Sequence, residues 1–108
     1  MKHIDIIIIT TEKIDEGLLS GLDYLITSQE NFTNRYTISI DNEDITFDYL
    51  IIDHIIKDLG VLTEDKKIVT NEVFETSIDG IFAFKTVKSS LDMQTQLQII
   101  INYLKNPY

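Results

Sequence analysis

The sequence predicts a small α/β domain, and three observations predict it. An isoleucine-rich run opens the chain, apolar residues at helical spacing follow it and recur at the C-terminal end, and short alternating stretches lie between. At 108 residues the chain is long enough for one modest core, so residues 1–108 are read as a single domain. A composition of 44% hydrophobic and 25% charged residues, with one proline and four glycines, belongs to a folded globule rather than to a disordered segment.

The elements follow in order. His3 to Ile9 is too short for a helix and β-branched through its centre, which predicts a buried parallel strand. From Thr11 onward Ile14, Leu18, Leu19, Leu22, Leu25 and Ile26 fall on one helical face, with Glu12, Asp15 and Glu16 at its start, so a first helix is expected there. Tyr36, Ile38 and Ile40 alternate with polar residues, as do Ile45, Phe47 and Tyr49, and Asp41-Asn42-Glu43-Asp44 between them is turn chemistry; this predicts a hairpin whose second arm runs into Leu50-Ile51-Ile52. Short extended pieces are expected at residues 67–70 and 81–84, the latter after the turn signal Asp79-Gly80. A closing helix runs from Ser90 to Leu104, with Ser89 and Ser90 as candidate N-caps, Asp92 in its first turn, and Leu91, Met93, Leu97, Ile100, Ile101 and Leu104 on its apolar face. The core sheet is therefore expected to contain residues 3–9, 47–52 and 81–84, with a helix from each end covering it.

Composition also excludes function classes. Without cysteine there is no disulfide, no thiolate metal ligand and no redox-active cysteine pair. A formal charge of −9 repels phosphate backbones and anionic lipid, so neither nucleic acid nor membrane is an expected partner. Residues 41–79 hold 11 acids against three lysines, a solvated acidic face or a surface for a basic partner. The longest apolar run, Ile6 to Ile9, falls short of a membrane span, and the N-terminus does not read as a signal peptide, so a cytoplasmic location is expected.

Three stretches resemble a known family. Residues 47–56, Phe-Asp-Tyr-Leu-Ile-Ile-Asp-His-Ile-Ile, are similar to the strand and turn by which thioredoxin reductase-like flavoproteins return to their flavin domain, with Asp53 at a glycine position, His54 retained and Ile56 at a proline position. Residues 75–83, Glu-Thr-Ser-Ile-Asp-Gly-Ile-Phe-Ala, resemble the family's Thr-Ser-x-x-Gly-x-Phe-Ala segment, but Lys85 and Thr86 stand where the family has Gly-Asp. Residues 3–9 look like the first strand, whose glycine turn would be Thr10, Glu12 and Asp15 here. The resemblance implies a small three-layer, Rossmann-like remnant of a flavin domain with a hairpin or meander, degenerate at Thr10, Glu12, Asp15, Lys85 and Thr86.

It also implies that the cofactor chemistry is gone. A dinucleotide turn needs glycine so that the backbone bends tightly and approaches the pyrophosphate, and Glu12, Asp15 and Glu16 would face the phosphates instead. One carboxylate at about 5 Å from a phosphate, at an effective dielectric of about 20, costs on the order of 3 kcal/mol, roughly a hundredfold in affinity. The expectation is thus no catalytic residue, no cofactor and no metal, in a non-catalytic interaction or dimerisation module that works with a protein partner or a second copy. A nucleotide- or flavin-binding subunit of a split reductase, with Lys85 facing a phosphate, is the alternative; an acidic inhibitor that mimics nucleic acid is a third. His3 and His54 are the histidines. Adjacent Asp53 and His54 on an extended segment would point apart rather than form a dyad, and a metal would need both histidines to converge with a carboxylate.

Overall fold

The computed structural model describes residues 1–106. Eight strands and one α-helix form it: β1 (Lys2–Ile9), β2 (Tyr24–Thr27), β3 (Asn31–Asn34), β4 (Thr37–Ile40), β5 (Glu43–Ile52), β6 (Thr63–Glu64), β7 (Lys67–Ile68), β8 (Ile81–Ala83) and α1 (Met93–Lys105). The main sheet is mixed and runs β2-β1-β5-β4-β3, with β8 also on β5. Strand β1 lies parallel to both β2 and β5, and β8 is parallel to β5. The three expected core strands are therefore neighbours. Along its edge away from β1, β5 pairs first with β4, antiparallel through Glu43–Thr46, and then with β8 through Leu50–Ile52.

Local chemistry explains the hairpin. Asp41 and Asn42 both adopt positive φ, 51° and 65°, the conformation that a two-residue connection needs to match the twist of its strands. The same device, Asp65-Lys66 at 52° and 65°, joins β6 to β7. Burial follows from position in the sheet: Ile7, Ile8, Ile9, Leu50, Ile51 and Ile52 are completely covered because their strands are flanked on both sides and packed on both faces. Phe82, also fully buried, meets Tyr49 from β5 and Tyr103 from α1 at ring-centroid distances of 6.3 and 5.9 Å, which docks α1 on that face. Segment 53–80 adds Ile56, Leu59, Val61, Ile68 and Phe74 to the same core.

The structure corrects the sequence reading in three places. The expected first helix is absent: residues 11–15 are irregular, a single 3-10 turn spans Glu16–Leu19, and Leu25 and Ile26 belong to β2. Gly17 and Gly21 weaken any helix through this stretch, Gly21 sits at φ 84°, and the Tyr-Leu-Ile-Thr run gains more from pairing with β1. With α1 the single α-helix among the described residues, the architecture is a mixed α/β sheet packed with one helix. The N-cap of α1 is Asp92, whose carboxylate accepts from the Thr95 amide at 2.7 Å, rather than Ser89 or Ser90. That bond stabilises the anion and lowers the Asp92 pKa. No helix among the described residues is long and apolar enough to cross a membrane.

Candidate functional site

Because β1, β5 and β8 are parallel, their C-terminal ends open at one end of the sheet, where open α/β sheets take their ligands. Thr10 follows β1, Asp53 and His54 follow β5, and Lys85 and Thr86 follow β8, so topology alone brings these side chains together.

Asp53 is the hub. It is 5% exposed, and its carboxylate accepts a 2.6 Å hydrogen bond from the Thr10 hydroxyl, which also accepts from the Glu12 amide at 2.9 Å. The other Asp53 oxygen lies 2.8 Å from His54 Nδ1, and the Thr86 hydroxyl donates to the Asp53 carbonyl at 2.7 Å. His54 Nε2 in turn lies 2.6 Å from Glu30 Oε2, in the link between β2 and β3. Lys85 Nζ donates to Glu12 at 2.9 Å, while its backbone amide, held at φ 69°, donates to the buried Gln96 side chain of α1 at 2.7 Å.

The two ring nitrogens of His54 each face a carboxylate oxygen, so the doubly protonated imidazolium satisfies both. Partial burial by itself lowers the His54 pKa, but the hydrogen bonds and charges of Asp53 and Glu30 outweigh it and the net shift is upward. Lys85 is likewise raised, chiefly by its hydrogen bond to Glu12. Among the described residues no buried side-chain nitrogen or oxygen lacks a partner.

This arrangement does not make an activated nucleophile. The Thr10 proton goes to Asp53 rather than to an imidazole, and His54 offers no free ring nitrogen toward a hydroxyl. The network is an internal ionic latch joining the ends of three strands to the Glu30 link.

Of the positions read as degenerate, Thr10, Glu12, Lys85 and Thr86 converge here, whereas Asp15 caps the 3-10 turn by accepting from the Gly17 amide. The expectation that Asp53 and His54 point apart is overturned. Strand alternation ends at Ile52, and the chain bends through Asp53-His54, which turns both side chains to the same side. Glu30 had no signal in the sequence, since it reaches His54 across 24 residues through the fold. The histidines do not converge: His3 lies at the start of β1 and His54 past the end of the parallel strand β5. No family model, no curated protein and no solved structure matches the chain.

Proposed function

We propose that the chain is a non-catalytic interaction module, related to the flavin domains of thioredoxin reductase-like proteins, that acts through a protein partner or a second copy of itself. One observation carries this reading: the place at the strand ends where a dinucleotide would rest is occupied by side chains that already satisfy one another. Lys85, the cation there, is paired with Glu12, and the buried Asp53 carboxylate is held by Thr10 and His54. A phosphate entering this crevice would have to displace Glu12 from Lys85 and then stand near Asp53. The adjacency of β1, β5 and β8, which carry the three stretches of family resemblance, supports the relationship. The acidic surface favours a basic face on the partner.

Calorimetric titration with FAD, FMN and NADPH tests the reading together with sedimentation velocity over a wide protein concentration range. The expected outcome is a colourless protein that releases no heat with these cofactors. A yellow preparation, or saturable FAD binding weakened by Lys85→Ala, would establish the cofactor-binding alternative instead.

A further inference from the structure

At the opposite end of the parallel strands, His3 and Asp5 lie on one face of β1, two residues apart, and Asp48 lies on the same face of the neighbouring β5. His3 Nε2 is 3.5 Å from Asp5 Oδ1 and 3.4 Å from Asp48 Oδ1, and the three atoms all lie within 4.8 Å of one another. Ligand atoms about 2.0–2.2 Å from a tetrahedral zinc stand about 3.3–3.6 Å apart, so the two histidine-to-carboxylate spacings match those of a coordination shell. We propose that His3, Asp5 and Asp48 form a binding site for a divalent transition-metal cation of the zinc class, with solvent in the remaining position.

The orientation of His3 supports this independently of the spacing. Its Nδ1 lies 2.7 Å from Thr46 Oγ1, and the Thr46 hydroxyl directs its own proton to the Lys2 carbonyl at 3.4 Å. When Nδ1 donates its proton to Thr46 Oγ1, the Nε2 lone pair faces the two carboxylates. A ligating histidine is commonly fixed in this way, by a hydrogen bond from its other nitrogen. The register sets Asp5 beside Asp48, between the pairs Ile4↔Phe47 and Ile6↔Tyr49. The like charges of Asp5 and Asp48 on adjacent strands repel one another, and a cation between them removes the conflict. The strands carrying the three side chains are anchored in the core by their buried neighbours Ile4, Ile6 and Phe47. An imidazole with two carboxylates selects zinc-class ions over magnesium, which prefers an all-oxygen, hydrated shell.

The experiment titrates zinc chloride into the full untagged chain, read by calorimetry and by the ring-nitrogen NMR shifts of both histidines. Zinc is expected to bind one per chain, to move the His3 Nε2 resonance, and to remain bound in excess magnesium. His3→Gln and Asp48→Asn should each weaken binding at least tenfold, and Thr46→Val roughly tenfold through the lost support of His3, with circular dichroism unchanged. His54→Gln should leave affinity as it is. Absence of binding at millimolar zinc, wild-type affinity in His3→Gln, or a shift of His54 in place of His3 would each overturn the proposal.

Discussion

The Thr10 hydroxyl at the end of β1 donates a 2.6 Å hydrogen bond to the buried carboxylate of Asp53 at the end of β5, closing a link across 43 residues of chain. The bond locks together two strands that are already paired from Lys2↔Ile45 to Ile9↔Ile52, and it fixes the carboxylate that grips His54. Because the pair is shielded from water, removing either partner costs the other one of its buried hydrogen bonds.

Asp53→Ala should therefore destabilise the fold by about 1–3 kcal/mol, the usual cost of stranding a buried hydrogen-bonding group. Urea unfolding measures it. A midpoint equal to the wild type would mean that the latch contributes nothing to stability.

The His54 latch makes stability depend on pH with a definite sign. Its folded pKa lies above its unfolded value of about 6.5, so the contribution is fully present below that value and is lost as pH rises through the raised folded pKa. The half-exposed ring limits the size of the effect. Unfolding midpoints followed upward from mildly acidic pH should fall across this window, and the fall should shrink in His54→Gln. A midpoint that rises over the same range would contradict the assignment.

Gly80 sits at φ 83°, and a β-carbon there would lie 3.2 Å from the Asp48 carbonyl oxygen. Gly80→Ala should cost about 1–2 kcal/mol from the left-handed backbone alone, more if the carbonyl cannot give way. Thermal denaturation distinguishes this from an ordinary exposed turn position, at which alanine would be neutral.

Phe82 joins β8 to both β5 and α1 and is completely buried, so Phe82→Ala should cost about 3–5 kcal/mol. Ile55, 40% exposed, is the control, and Ile55→Ala should stay within about 0.5 kcal/mol. Equal losses at the two positions would place the core elsewhere.

Elements whose signals are local were legible in the sequence. The isoleucines of β1, the alternation of β4 and β5 around Asp41-Asn42, the turn before β8, and the apolar face of α1 each depend on residues a few positions apart. The stretch from Ile14 to Ile26 was misread because its apolar spacing fits a helix, while the open edge of β1 offered Tyr24–Thr27 a ladder that no local pattern displays. The candidate site divides in the same way. Thr10, Glu12, Lys85 and Thr86 could be singled out from the chain, but the pairings among them, and the roles of Asp53, His54 and Glu30, came with the fold.

Sequence by itself determined that β1, β4, β5 and β8 are extended and that α1 closes the domain, because backbone preference and hydrophobic period act over a few residues. Tertiary structure alone decided that three parallel strand ends meet at Asp53 and that Asp5 and Asp48 face His3, because strand order and register set contacts over tens of residues and a one-residue slip would turn those side chains to the other face.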